Sequence, residues 1–280
     1  MKAADQDHLW RAAKPPESSV QSPRVASLDD HNRYASILLD MDVSDPTRAV
    51  TPTLDGPVLA VLAASGRPLT VGQVAQQAAR GSEIGIRRSL ARLVEQGIVR
   101  ATLMGRNQVH ELNRDHVAAE VAVLLSDLRN RLWENFRSEF TNWKVQPLFA
   151  SVFGSVARGD GDDASDIDLF IVHPPFPGEP KPPRLTSTIK SQFADALGAF
   201  AVAAEIDSAA AQWEQQLDAL RDKAERWTGN SLQVVDLSFH EWRHPAEAHL
   251  ALLQEIQRDG IELHRIRAMS IWSAGTGTDG

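Results

Sequence analysis

Apolar residues between positions 53 and 112 recur first at helical spacing and then at alternating spacing. In the segment Glu83–Gln96 four of them fall at i, i+4, i+7 and i+8, which predicts a helix with one buried face: Ile86, Leu90, Leu93 and Val94. Thr70 and Ser82 are typical N-caps, and Gly97 is a typical helix end. The neighbouring predicted elements are two helices and two strands: Pro57–Ala64, Val71–Ala79, Ile98–Leu103 and Gln108–Leu112. The strands flank Met104–Asn107, a predicted hairpin tip.

The segment 115–143 predicts one long helix that connects two domains. Its apolar residues recur at three- and four-residue steps: Val117, Val121, Leu124, Leu125, Leu128, Leu132 and Phe136. Such a stripe indicates packing within the chain, and a homodimer seam is the alternative.

After this helix, apolar runs predict strands that alternate with helices. The predicted strands are Leu148–Phe153, Ile167–Val172 and Leu232–Phe239. The predicted helices are Leu185–Ala201, Ala209–Trp227 and the closing segment Pro245–His264. We therefore predict an α+β protein with five parts: a flexible arm (1–50), a helical and hairpin domain (51–114), a linker helix (115–144), a second α/β domain (145–268) and a flexible tail (269–280).

Composition excludes several classes of protein. The 280 residues are 42% hydrophobic and 24% charged, as in an ordinary folded chain. With no Cys, the chain has no disulfide framework, thiol nucleophile or Cys-ligated metal, which fits a reducing cytosol and a cytoplasmic location. The N-terminus lacks the apolar core of a signal peptide, and no apolar run approaches the length of a membrane span.

Charge is distributed unevenly along the chain. The net charge is −8, but Gly66–Arg114 carries eight Arg against three Glu. From Ala150 to Gly280 there are 11 basic and 20 acidic residues. Two regions of opposite charge predict two different partners.

The most informative motif begins where the strand Leu148–Phe153 ends. Gly154 permits a tight turn, and Ser155 begins a short helix whose N–H groups and hydroxyl can hold a phosphate. Asp166 and Asp168 stand two residues apart and share one face of the following strand. Two carboxylates this close repel each other, and a divalent cation bound between them relieves the repulsion. Mg²⁺ is commonly held by carboxylates together with substrate phosphates. This layout predicts a site for a nucleoside triphosphate.

Gly154-Ser155, ten intervening residues and Asp166-Ile167-Asp168 resemble the signature of the polymerase-β-type nucleotidyltransferase superfamily, especially its minimal and kanamycin-nucleotidyltransferase-like members. The resemblance implies a small mixed sheet with helices on one face. It implies two Mg²⁺ or Mn²⁺ ions held by three carboxylates, and in-line transfer of a nucleotidyl group to a hydroxyl with release of pyrophosphate. Asp166 and Asp168 would be metal ligands, Gly154 and Ser155 the triphosphate turn, and Arg158 a further phosphate contact.

The third carboxylate implied by the resemblance must come from a later strand. Asp236 lies inside the apolar run Leu232–Phe239, where a carboxylate is costly unless it is paired or bound to metal. We predict Asp236 as the third catalytic metal ligand, with Asp207 as the alternative. The preceding turn Trp227–Asn230 lies near the nucleotide on one interpretation and is a plain helix end on the other.

Three helices followed by a hairpin, between residues 53 and 112, resemble a winged helix-turn-helix domain of bacterial regulators. A helix fits the major groove of DNA, and a basic hairpin reaches the adjacent backbone. The arginines predicted to contact DNA lie on the third helix and the hairpin: Arg87, Arg88, Arg92, Arg100 and Arg106. The alternative is a protein-binding or dimerisation module.

The segment His240–His244 matches the zinc-protease pattern H-E-x-x-H. That chemistry needs both His on one face of a continuous helix and a third ligand. Pro245 disfavours helical geometry at His244, so the pattern predicts surface histidines on a turn.

Together these features predict a DNA-binding regulator whose second domain binds Mg²⁺–NTP and transfers NMP to a hydroxyl of a protein, RNA or small molecule. An antitoxin-like role would make a separate toxin chain the partner. Two alternatives remain: a regulator with a degenerate, nucleotide-sensing domain, and a pure transferase whose winged helix binds protein or substrate.

Overall fold

A computed structural model describes residues 40–162, 164–176, 179, 187–198, 206–267 and 269. These residues belong to one compact unit, 38–280. Most of the predicted arm, much of the Pro-rich segment Pro174–Pro183 and nearly all of the predicted tail lie outside the described residues.

The N-terminal part of the described chain contains the predicted helices and hairpin. After a short 3₁₀ helix, Pro46–Ala49, its elements are α1 (Asp55–Ala64), β1 (Leu69–Thr70), α2 (Val71–Gln77), α3 (Glu83–Glu95), β2 (Val99–Met104) and β3 (Asn107–Leu112). The three strands form an antiparallel sheet in the order β1-β3-β2.

Local sequence signals explain where these helices begin. Thr70 and Gln73 form a reciprocal capping box at the start of α2, with Thr70 N–H donating to Gln73 Oε1 at 2.9 Å. Ser82 Oγ accepts the Gly85 N–H at 3.2 Å at the start of α3. Each cap satisfies a backbone donor that the helix itself leaves unpaired. At the predicted hairpin tip, Gly105 adopts φ +62°.

The long helix α4 (Ala119–Asn142) packs against two cores. Its first turn contributes Ala119 and Ala122 to the core of the N-terminal elements. Its second half contributes four residues to the core of the following sheet: Leu132, Trp133, Phe136 and Phe140. The predicted stripe is wrong at its N-terminal end, where Val117, Val121 and Leu124 are 92%, 54% and 47% exposed.

The second sheet has four strands in the order β6-β5-β4-β7. Its strands are β4 (Phe149–Phe153), β5 (Ile167–His173), β6 (Leu232–Ser238) and β7 (Ile261–Arg265). β4 is antiparallel to β5 and β7, whereas β5 and β6 are parallel, so the sheet is mixed as expected. The helices are α5 (Gly154–Arg158), α6 (Ser187–Leu197), α7 (Ile206–Thr228), α8 (Phe239–Arg243) and α9 (Glu247–Asp259).

Helices cover both faces of this sheet, and the expectation of helices on one face is wrong. Ile167, Leu169 and Ile171 share a core with α4 and α7. Phe170 and Val172 share another core with α6, α8 and α9. β5 is an almost continuous apolar run because each of its faces is buried by a helical layer.

His240 lies on the five-residue helix α8 and His244 is its C-cap, so the predicted turn is a short helix that ends before Pro245. Ser238 caps it, and the rings of His240 and His244 lie 5.0 Å apart. No group of three His, Asp or Glu side chains within the described ranges is placed to hold a metal ion. Among the helices that the structure describes, none is both long and apolar enough to cross a membrane.

Candidate functional site

The site is built where β4 ends beside the start of β5. Phe153 pairs with Asp168 across the antiparallel strands, and the chain turns into α5 at the next residue, Gly154. Gly154 adopts φ +73°, and a Cβ built on it would overlap the Asp168 carboxylate. Glycine is therefore required here both by backbone conformation and by the close approach of Asp168.

Asp168 is half-buried, and no basic side chain among the described residues forms an ion pair with its carboxylate. Burial raises the pKa of Asp168 above its ordinary value, and the negative charges of Asp166 and Glu255 raise it further, against the charge of Arg158. Within the described residues, no side chain makes a hydrogen bond or ion pair with the Asp168 carboxylate. Asp166 and Asp168 thus form an electrostatically coupled pair whose repulsion a cation would relieve.

Asp166, which is exposed, is held by the turn that follows α7. The Ser231 hydroxyl donates a hydrogen bond to Asp166 Oδ1, and Asn230 Nδ2 donates to the Ser165 carbonyl at 3.1 Å. Gly229, at φ +81°, ends the helix with an N–H bond to the Glu225 carbonyl. The turn is thus a helix end, and Ser231, the residue that follows it, supports Asp166. A position of Trp227–Asn230 near the nucleotide stays a prediction.

Ser155 and Arg158 lie on α5, next to Gly154. The Ser155 carbonyl accepts the N–H groups of Gly159 and Asp160, which closes the short helix. The Arg158 guanidinium pairs through Nε with Asp160 at 3.2 Å and through Nη1 with Glu255 at 2.5 Å. The charge of Arg158 also acts on Asp168, where it favours the ionised carboxylate.

Asp236 does not join Asp166 and Asp168. On β6 it pairs with Ile171, three residues beyond Asp168 on β5, and side chains three residues apart on a strand point to opposite faces. Asp236 therefore faces the core of α4 and α7, where Trp213 Nε1 donates to its Oδ2 at 2.7 Å. The residue of β6 that pairs with Asp168 is the uncharged Gln233. Asp207, the alternative, lies at the start of α7 and outside the described side chains.

The environment of Asp236 is that of a buried core carboxyl. Burial raises its pKa from 3.8 to about 6, although His173 and the Trp213 hydrogen bond oppose this. Its Oδ1 is buried and has no hydrogen-bond partner in the described part of the chain. This is the environment of a group that is stable when protonated.

Glu255, on α9, is the acid of the site that the sequence does not indicate. It reaches Asp168 electrostatically and Arg158 directly, although 87 residues separate it from Asp168 in sequence. α9 shows ordinary amphipathic spacing, so only its packing on the sheet reveals that Glu255 faces the site.

The residues present fit a divalent cation bound together with phosphate. Asp166 and Asp168 supply two carboxylates, and Mg²⁺ usually takes one or two carboxylates and completes its shell with phosphate oxygens and water. The predicted set of Asp166, Asp168 and Asp236 is not assembled, because Asp236 lies on the other face of the sheet.

The five arginines predicted to contact DNA are all exposed. Three of them pair with acids: Arg87 with Glu83 at 2.9 Å, Arg92 with Asp55, and Arg100 with Asp115 at 2.8 Å. Burial alone would raise the pKa of Asp55, but hydrogen bonds from Arg92 and Ser89 bring it below its ordinary value. Arg88 and Arg106 have no ion-pair partner among the described residues.

Comparison with known proteins places the strand motif in a family model. Residues 130–228 match the model of the nucleotidyltransferase domain. The match contains Gly154, Ser155, Asp166 and Asp168, ends before Asp236 and Glu255, and supports a nucleotidyl-transfer function.

Other comparisons add little. No curated protein matches the chain significantly. A crystal structure of human N-acetylserotonin methyltransferase in complex with SAM is 15% identical with a TM-score of 0.22. The alignment covers 43% of this chain and 36% of that one, and a TM-score this low does not indicate a shared fold.

Proposed function

We propose that the second sheet binds a nucleoside triphosphate with Mg²⁺ or Mn²⁺ and transfers its nucleotidyl group to a hydroxyl. The observation that carries this proposal is the mutually repelling pair Asp166 and Asp168 beside Gly154, with no ion pair to Asp168 among the described residues. The two carboxylates would hold the cation. A bound divalent cation supplies neutralisation of the charge that develops on the phosphates.

The chain's own residues orient the triphosphate. Gly154 allows the backbone to approach the phosphates, and Ser155 and Arg158 offer a hydroxyl and a guanidinium as donors. In the transfer, the acceptor oxygen bonds to the α-phosphorus, the bond from that phosphorus to the bridging oxygen breaks, pyrophosphate leaves, and the hydroxyl loses its proton. The proposed acceptors are a hydroxyl of a protein, such as a separate toxin chain, of RNA, or of a small molecule.

Transfer from α-labelled NTP, or binding of the unreacted NTP, tests this proposal. Asp166→Asn and Asp168→Asn should each lower Mg²⁺-dependent NTP binding at least tenfold, whereas Asp218→Asn on the exposed surface of α7 should not change it. NTP binding by the Asp168→Asn variant at the wild-type level would remove Asp168 from the mechanism.

We propose DNA binding by the N-terminal elements as a second function, through a winged helix-turn-helix arrangement of α1–α3 and the β2–β3 hairpin. It is favoured by the exposed Arg88 and Arg106, which no acid neutralises among the described residues. Arg88→Ala should weaken binding to DNA fragments and reduce the slope of log K against log salt by about one. Arg137→Ala on α4 is the matched control, and equal weakening by both variants would contradict a specific face.

A further inference from the structure

Arg158 is held by one carboxylate that is close in sequence and one that is distant. Asp160, two residues away, takes Nε, and Glu255 from α9 takes Nη1. The side chains of Arg158 and Glu255 are 37% and 31% exposed, so their pair lies at the rim of the site. Nη2 makes no hydrogen bond within the described residues.

Packing of α9 fixes Glu255 in this place. Leu253 and Ile256 of α9 are buried in the core that covers the Asp168 face of the sheet. α9 also contacts β4 and α5, the two elements that carry the Gly154 turn. The helix therefore forms a wall of the site, although it lies outside the stretch 130–228 that matches the family model.

The two ion pairs leave the Nη2 nitrogen of the guanidinium available. A guanidinium is planar and has five N–H donors in a fixed fork. With Nε and Nη1 held by two carboxylates, the plane of Arg158 is fixed and the Nη2 donors remain for an anion. A flexible arginine would lose more side-chain entropy on binding the same anion.

We propose that Glu255 is a positioning residue for triphosphate binding: it orients Arg158 so that Nη2 contacts a phosphate oxygen. This inference rests on the proposed function of the site. The inference predicts that removal of Glu255 weakens triphosphate binding. Simple electrostatics predicts the opposite, because a glutamate near a polyanion should weaken binding by repulsion.

Binding of fluorescent, non-hydrolysable ATP and GTP analogues with Mg²⁺ to the full chain tests the inference. Glu255→Ala should raise Kd about tenfold, since it releases a charge-assisted contact that holds the arginine. Glu255→Gln keeps an oxygen acceptor for Nη1 and should stay within about threefold of wild type. Glu247→Ala, at an exposed position of the same helix, is the matched control and should leave Kd unchanged.

The same substitutions in an Arg158→Ala background show whether Glu255 acts through Arg158. There, Glu255→Ala should have no further effect on Kd. Thermal unfolding of each variant checks that α9 remains packed. A loss of affinity that persists in the Arg158→Ala background would overturn the inference.

Three other results would overturn it and are distinguishable from each other. If wild type binds the analogues, tighter binding by Glu255→Ala would show that Glu255 repels the nucleotide. Unchanged binding would show that Glu255 lies near the site without affecting nucleotide affinity. Absence of Mg²⁺-dependent binding of either analogue by wild type would refute the proposed function, and the inference with it.

Discussion

Replacing Asp236 by Asn tests the finding that this carboxyl lies in the core rather than at the nucleotide site. Folding raises the pKa of Asp236 from 3.8 to about 6, because burial disfavours the charged form. Since the folded-state pKa is raised, the folded protein is most stable below pH 3.8 with respect to this group, and it loses that stability as the pH rises through 6. At 1.36 kcal/mol per pKa unit, ionisation costs up to about 3 kcal/mol at pH 8.

Asn has the same shape, can accept the Trp213 hydrogen bond through its oxygen, and carries no charge at any of these pH values. In the variant, one oxygen accepts from Trp213, and an unpaired Nδ2 takes the place of the unpartnered Oδ1, at a cost that does not depend on pH. The stability of Asp236→Asn relative to wild type should therefore rise by up to about 3 kcal/mol between pH 4 and pH 8. Urea unfolding followed by tryptophan fluorescence at both pH values measures the difference. A relative stability that does not rise between pH 4 and pH 8, or loss of Mg²⁺–NTP binding by the variant, would refute this placement of Asp236.

Other substitutions test single contacts of the fold and the site. Gly154→Ala should lower stability by at least about 1 kcal/mol and abolish Mg²⁺–NTP binding, because its Cβ overlaps Asp168 and its φ is positive; thermal unfolding and nucleotide titration measure the two effects. Ser231→Ala removes the hydrogen bond to Asp166 and should weaken cation binding several-fold in a Mn²⁺ titration, and an unchanged affinity would contradict this support. Thr70→Ala removes the capping box and should cost about 1 kcal/mol in urea unfolding without changing nucleotide affinity.

The features that the sequence predicts correctly are local ones. Thr70 and Ser82 satisfy backbone donors three residues away, so their capping role depends only on neighbouring sequence. The proximity of Asp166 and Asp168 likewise follows from a two-residue spacing. The nucleotidyltransferase match over 130–228 covers the same local motif.

The features that the sequence does not predict depend on how distant segments pack. The face occupied by Asp236 depends on the register of β6 against β5, and a shift of one residue would reverse it. The contact of Glu255 with Arg158 depends on where α9 crosses the sheet. Periodicity predicts a buried stripe through Val117 and Val121, but the first turn of α4 buries Ala119 and Ala122 instead, so a different face of the helix is packed there.

Binding of Mn²⁺ in the presence of a non-hydrolysable NTP analogue, followed by electron paramagnetic resonance, tests the central claim most directly. If Asp166 and Asp168 hold the cation beside the triphosphate, wild type and Asp236→Asn bind Mn²⁺ in a nucleotide-dependent manner, and Asp168→Asn loses at least tenfold in affinity. Equal Mn²⁺ affinity in wild type and Asp168→Asn, or loss of affinity in Asp236→Asn alone, would contradict the account.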